Sequence, residues 1–350
     1  MSWRADTEKV LAGDIGGTKT HIALFSGGKS RPSLKVIQTY SSGKFKGLDQ
    51  IIERFIKVHP SPVKSACFAI AGPVVRGRCR ATNLPWVVSE RRMKSRFGWP
   101  HVQLINDLAS TALAIPRLAS REISPLNRAR TQKGGPIGLV APGTGLGEAL
   151  LISHRGRHIP LATEGGHVDF PANTQEEAAL WQYLHARLGH VSIERVVSGP
   201  GLFNIYSWLK DSGQYSEPRF MRRRIASGDP PEVIARAAIQ GAPPICVAAL
   251  NRFMAVLGAV AGNLALIGLT YGGLYLGGGI PPKILPALRQ GPFMRAFTDK
   301  GRFQDLLKRI PVRVILNDKA CLLGAAWAAF EREREGQEAL FQNTGGTQSG

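Results

Sequence analysis

The sequence predicts an α/β protein built as two similar lobes. Three observations carry that prediction. The chain has 350 residues, beyond the roughly 250–300 at which one hydrophobic core stops growing. Strand-like apolar runs alternate with segments of helical period. The pattern strand, Gly-Thr turn, strand also occurs twice, as expected if the lobes share a plan.

Residues 10–14 read as a strand and 20–25 as its hairpin partner, with Gly16-Gly17-Thr18 as the turn. A third strand covers 34–39. Leu48, Ile51, Ile52, Phe55 and Ile56 recur at helical spacing and predict a helix over 48–58. A buried strand over 65–71, a helix over 90–97 and a strand over 102–105 follow. A helix over 108–115 then starts from Asn106 or Asp107 as its cap. Lys133-Gly134-Gly135-Pro136 punctuates the chain. Beyond it, 137–141 and 148–153 form the second hairpin around Gly143-Thr144-Gly145. Helices are expected over 176–188, 201–210, 231–240 and 244–269. A strand over 274–276 runs into Gly277-Gly278-Gly279, and a strand over 312–316 precedes a last helix from 318 to about 334.

Composition narrows the function classes. Hydrophobic residues make up 43% and charged residues 20%, ordinary for a folded chain. Cys67, Cys79, Cys246 and Cys321 form no CxxC pair, so a zinc knuckle or dithiol site is not indicated, and a reducing compartment suits them. The first nine residues carry charges and no apolar core of a signal peptide. The apolar stretch 245–269 contains Asn251, Arg252 and Asn263, which favours a core helix over a membrane span. The net charge of +20 attracts anions. The basic residues are spread out, with short clusters such as Arg222-Arg223-Arg224 and no aromatic-interleaved stripe. Specific nucleic-acid binding is therefore not expected.

Five motifs carry chemistry. Gly13-Asp14-Ile15-Gly16-Gly17-Thr18-Lys19 lets backbone N–H groups approach phosphate oxygens, and Thr18 adds a hydroxyl. Asp14 makes sense beside Mg²⁺, through a water. The alternative is a plain hairpin turn. Pro142-Gly143-Thr144-Gly145-Leu146-Gly147 repeats that chemistry, and two such hairpins together are the stronger signal. Gly277-Gly278-Gly279-Ile280-Pro281 allows a flat ligand such as adenine to lie against the backbone, or else is a tight strand–helix connection. Asn106-Asp107 ends a strand, where α/β sheets bind ligands. Asp107 is placed to accept a hydroxyl proton, although Asp at such a spot is commonly an N-cap. Glu164-Gly165-Gly166-His167 can present two polar groups to one polyol. Glu194 is either a further sugar ligand or a surface salt-bridge partner. His154 and His158, flanking Arg155-Gly156-Arg157, read as a loop.

Taken together, these motifs resemble the bacterial glucokinase family. They are joined by Leu104-Ile105-Asn106-Asp107, Glu164-Gly165-Gly166-His167-Val168-Asp169-Phe170 and Glu194-Arg195-Val196-Val197-Ser198-Gly199-Pro200-Gly201. The resemblance runs from about Val10 to Ala329. It implies two RNase H-like lobes of actin/hexokinase type with a central cleft, the last helix returning to the N-terminal lobe. The domains would be 1–107 with 318–335, 108–317, and a flexible polar tail over 336–350. It implies phosphorylation of D-glucose at its 6-hydroxyl by Mg-ATP in a cytoplasmic homodimer, with Asp107 as general base. Asn83, Asn106, Asp107, Glu164, His167 and Glu194 would bind glucose. Asp14, Gly16, Gly17, Thr18, Lys19, Gly143, Thr144, Gly145, Gly278 and Gly279 would bind ATP, with Asp14 also near Mg²⁺. Three positions depart from the family pattern. Pro142 removes an N–H donor, Glu148 would repel phosphate if it faced the cleft, and Lys19 would add attraction. A hexose kinase of other sugar or polyphosphate donor preference, or a catalytically weakened sugar-binding protein, remains as an alternative. The zinc signature of the related ROK kinases and repressors is absent, and with 12 residues before Gly13 a helix-turn-helix repressor is not expected.

Overall fold

The computed structural model describes residues 9–28 and 30–344. The expectations for residues 1–8 and for the tail beyond 344 lie outside these. The chain divides into two compact units. One takes the residues up to Leu118 and from Lys319 onward, and the other takes Ala119–Asp318.

The first unit is built on β1 (Lys9–Ile15), β2 (Lys19–Ser26), β3 (Ser33–Ser41), β4 (Val63–Ile70) and β8 (His101–Asn106), in the spatial order β3-β2-β1-β4-β8. β1, β2 and β3 pair antiparallel, whereas β4 and β8 run parallel to β1. β1 and β4 are buried on nearly every residue. That is why both read as continuous apolar runs, as strands covered on two faces do. Leu11, Phe68 and Ile70 pack with Leu48, Ile51, Ile52 and Phe55 of α1 (Leu48–Val58) in one core. α2 (Glu90–Phe97) stops at Gly98, whose φ of 67° provides the left-handed cap. Three short strands, β5 (Val74–Val75), β6 (Arg78–Arg80) and β7 (Val87–Ser89), form a separate sheet.

The terminal helix, Ala320–Thr344, runs ten residues further than its sequence pattern indicates. It packs on β1, β4 and α3 (Asp107–Ala114). Ser65 Oγ donates to the Ala329 carbonyl at 2.7 Å. Its crossing of α3 depends on Gly324, where a Cβ would lie 1.7 Å from the Ser110 carbonyl oxygen. Gly324→Ala is expected to lower the urea unfolding free energy by about 2 kcal/mol, the usual cost of an overpacked contact. An unchanged denaturation midpoint would refute that closeness.

The second unit repeats the strand order. β10 (Ile137–Pro142), β11 (Leu146–His154), β12 (Arg157–Ala162), β13 (Gly273–Leu276) and β14 (Val312–Ile315) lie in the order β12-β11-β10-β13-β14, and β9 (Ile123–Pro125) adds to the β14 edge. The 154–158 stretch, read as a loop, is in fact a hairpin. Arg155 and Gly156 form a two-residue turn with φ of 49° and 77° between β11 and β12. Both positive angles match the twist of the strands. Around this sheet pack α4 (Gln175–Leu188), α5 (Gly199–Asp211), α6 (Arg219–Ser227), α7 (Pro230–Ile239) and α8 (Pro244–Gly268). α8 has the length and apolarity to cross a membrane, yet 72% of its most apolar window is buried inside the protein. Phe253, Leu257, Val260 and Leu264 are its core contacts. It is the central core helix of this unit.

Candidate active site

In the first unit the parallel strands bring the candidate residues to one end of the sheet. Register aligns Asp14 of β1 with Ala69 of β4, and Ala69 with Ile105 of β8. Asp14 and the Asn106-Asp107 pair therefore emerge from the carboxyl ends of the two strands that flank β4, the usual ligand position in such sheets. The capping ambiguity resolves in favour of Asn106. Its Oδ1 accepts from the backbone N–H groups of Leu108 and Ala109 at 2.9 and 3.2 Å. Asn106 Nδ2 donates to the Gly72 carbonyl at 3.4 Å, which leaves it one N–H. Asp107 is the first helical residue, half-buried, its Oδ1 accepting from the Leu108 N–H at 3.0 Å.

The first glycine loop is the turn between β1 and β2, closed by the Gly16 N–H on the Lys19 carbonyl at 3.0 Å. Ser42, which the sequence reading did not single out, holds it from behind. Its Oγ donates to the Gly16 carbonyl at 2.7 Å, and its N–H to the Thr18 carbonyl at 3.0 Å. Thr18 and Lys19 are exposed. A Cβ on Gly17 would lie 2.7 Å from Asn83 Cβ, so the loop is built directly onto the exposed Asn83. Asn83 sits on a turn closed by the Ala81 N–H to the Trp86 carbonyl at 3.1 Å.

The charges here are tense. The Asp14 carboxyl is pushed up to about 6, foremost by burial. A hydrogen bond from the Cys321 thiol lowers it, the Asp107 charge raises it, and Lys319 lowers it. A hydrated divalent cation fits this setting, because it would offset the repulsion between the two carboxylates and needs few protein ligands. A dedicated cage is not indicated, since no cluster of three or more metal-ligating side chains lies among the described residues.

In the second unit the other glycine motifs converge. Gly143 N–H bonds the Gly145 carbonyl at 2.8 Å and closes the second loop. The loop is joined to the start of α5 by the Gly199 N–H on the Gly143 carbonyl at 2.8 Å. Gly278, at φ 78°, comes so close that a Cβ would lie 2.4 Å from the Pro142 carbonyl oxygen, and that carbonyl accepts from the Ile280 N–H at 3.3 Å. The Gly277–Ile280 turn is thus built onto the second loop. Pro142 ends β10 opposite Leu146. Gly279 and Thr144 are exposed.

Leu146 joins this loop to the sugar-candidate residues. Its N–H donates to Glu194 Oε2 at 2.9 Å. Its carbonyl oxygen would be 2.1 Å from a Cβ on Gly166. Glu194 forms no ion pair among the described residues, so the surface salt bridge is not its role. The 164–167 segment is a 3₁₀ turn over Gly165–His167, held by the His167 N–H on the Glu164 carbonyl at 3.0 Å. It presents the Glu164 and His167 side chains exposed. Glu148 lies behind this turn, where its carboxylate abuts Gly165. It is 8% exposed, and burial pushes its carboxyl up to about 7.

Solved structures place this fold. A glucokinase from an Antarctic psychrotroph superposes with a TM-score of 0.82 at 30% identity, over 93% of this chain and 99% of that one. A ROK family glucokinase from Streptomyces griseus shares the fold at a TM-score of 0.62 and 20% identity, over 92% and 99%. Two units of one strand order, each with a glycine loop built onto polar sugar-candidate residues, define a sugar kinase of the actin-like ATPase fold. In sequence, the chain is 41% identical over 346 residues to the glucokinase of Synechocystis sp., covering 92% of this chain and 98% of that protein. It is 37% identical over 332 residues to the glucokinase of Yersinia pestis, covering 95% and 99%. The family model described as Glucokinase matches residues 11–332. The chain belongs to the glucokinase family.

Proposed function

We propose that Asp107 is the general base with which this glucokinase phosphorylates glucose at its 6-hydroxyl, ATP being the donor. A carboxylate at the strand's carboxyl end takes the hydroxyl proton as the phosphoryl group arrives in line. The observation that carries this reading is a pairing present in each unit. Gly17 of the first loop abuts Asn83, and Leu146 after the second loop bonds Glu194 and closes on Gly166. Phosphate-binding backbone and sugar-binding side chains are therefore fixed to one another within each unit.

In this reading Asn83, Asn106, Glu164, His167 and Glu194 bind glucose hydroxyls, and a sugar lacking one of those hydroxyls leaves polar groups unpaired. Gly16, Gly17, Thr18, Lys19, Gly143, Thr144 and Gly145 hold the phosphates through N–H, hydroxyl and ammonium donors. Gly278 and Gly279 pass the adenine close to the backbone. Asp14 would hold Mg²⁺ through water, and that ion would neutralise charge on the transferring phosphoryl group. The reading extends to a cytoplasmic homodimer, as the family resemblance implies.

The test is ADP release measured with a panel of hexoses and with ATP or polyphosphate as donor. Turnover with glucose and Mg-ATP is expected. Preference for another hexose or for polyphosphate would shift the substrate assignment, and no turnover with any donor would leave a sugar-binding protein on a kinase fold.

A further inference from the structure

We propose that Ser42 and Thr20 are positioning residues for the nucleotide, a buried pair of hydroxyls that turns the Gly17 N–H of the first loop toward the phosphates of ATP. The proposal rests on the role given above to that loop. Thr20 lies in β2 and Ser42 directly follows β3, and both are 0% exposed. Their Oγ atoms are 2.9 Å apart. Ser42 Oγ also lies 2.7 Å from the Gly16 carbonyl oxygen, which can only accept. A serine has one O–H, so Ser42 gives it to Gly16, and Thr20 must be the donor to Ser42. The hydrogen bonds therefore run in one direction, from Thr20 through Ser42 to the Gly16 carbonyl.

The peptide group carries that direction across the loop. The Gly16 carbonyl and the Gly17 N–H belong to one planar trans unit and point opposite ways. With the carbonyl held on the buried hydroxyl, the N–H is aimed away from the serine. Neither residue flanking this peptide has a Cβ, so by itself it turns over easily. The serine hydroxyl stops that rotation. The serine in turn cannot swing aside, because its own N–H is fixed on the Thr18 carbonyl at 3.0 Å. The N–H groups of Gly17 and Thr18 have no hydrogen-bond partner among the described residues. They are the donors that remain for an anion. Each link polarises the next, which makes the Gly17 N–H a better donor to a phosphate oxygen.

The plainer account is that two buried hydroxyls satisfy one another and tie β2 to the chain after β3. It predicts lost stability in their variants and nothing particular to the nucleotide.

Variants of the whole protein separate the two accounts. Ser42→Ala is expected to raise KM for ATP, and the calorimetric Kd for Mg-ADP, about fivefold, the order of one hydrogen bond, with KM for glucose within about twofold of the wild type. It also strands the Thr20 hydroxyl in the core, so its melting temperature falls. In the double variant Thr20→Val/Ser42→Ala both side chains are apolar and close to the original shapes. Its melting temperature is expected to return most of the way to the wild-type value, while Mg-ADP still binds about fivefold more weakly. Nucleotide affinity that recovers together with the melting temperature overturns the proposal. So does a KM for glucose that rises in step with the KM for ATP, or wild-type nucleotide affinity in either variant. Should Ser42→Ala fail to fold, the double variant decides alone. Lys19→Ala tells a failure of this proposal from a failure of the reading beneath it. If it weakens Mg-ADP and the double variant does not, only the hydroxyl pair loses its role. If neither weakens Mg-ADP, the first loop holds no phosphate.

Discussion

Replacing Asp107 by Asn is expected to cut kcat by about 10²-fold or more, the usual worth of a general base, while glucose still binds. The substitution isolates the chemistry because the structural duties at this helix start are divided. Asn106, not Asp107, accepts the N–H groups of Leu108 and Ala109 and caps α3. The Asp107 Oδ1 contact to the Leu108 N–H can be kept by an asparagine carbonyl of the same shape. What is lost is a group able to take the hydroxyl proton, together with the charge that raises the Asp14 carboxyl. Calorimetric titration with glucose and steady-state kinetics separate the two effects. Unchanged kcat would refute Asp107 as the base, and loss of glucose affinity in step with kcat would assign it to binding.

Glu148→Gln is expected to stabilise the protein at pH 8 and to make no such difference near pH 4.5. The Glu148 carboxyl is held at about 7 by burial, against an ordinary 4.5. Between these values the unfolded chain has released its proton and the folded protein still holds it. Stability must therefore fall as pH rises through that window, and level off above about 7. The gap, at roughly 1.4 kcal/mol per pH unit, amounts to about 3 kcal/mol. A glutamine has the same shape and nothing to ionise. Urea unfolding of both proteins from pH 4.5 to 8.5 should show the difference growing across the window. A difference independent of pH would mean that the Glu148 carboxyl is solvated in the folded state.

Glu148 also illustrates what the sequence makes legible. Its departure from an apolar pattern is visible in the letters, and so is its danger to a phosphate loop. That it turns behind Gly165 is not visible, because the contact joins residues 17 apart through a turn whose shape depends on two glycines. Where periodicity is strong, the reading is close. The apolar spacing from Leu48 to Ile56 marks α1 over its full extent, and the Gly-Thr hairpins fall between the strands expected. β5, β6 and β7 have two or three residues each, too short for any period to register. β12 was hidden because its turn is Arg155-Gly156, where Asn or Asp before the glycine is the familiar signal. α6 registered only as a run of arginines. Ser42 and Cys321 are ordinary residues in their own segments. Each gains its place only when strands and helices far apart in sequence come together.

Leu146 has a consequence of its own. Its N–H answers to Glu194 and its carbonyl is closed upon by Gly166, while its side chain is held in the core. Only two soft torsions lie between those two contacts. A displacement at the Gly143–Gly145 hairpin would thus reach Glu194 and Gly166, the proposed sugar side of this unit, through a lever one residue long. On the roles proposed above for these residues, whatever free energy that lever transmits must act equally in both directions, so a nucleotide on the Gly143–Gly145 loop and a hexose on Glu194 would each alter the other's affinity by the same factor.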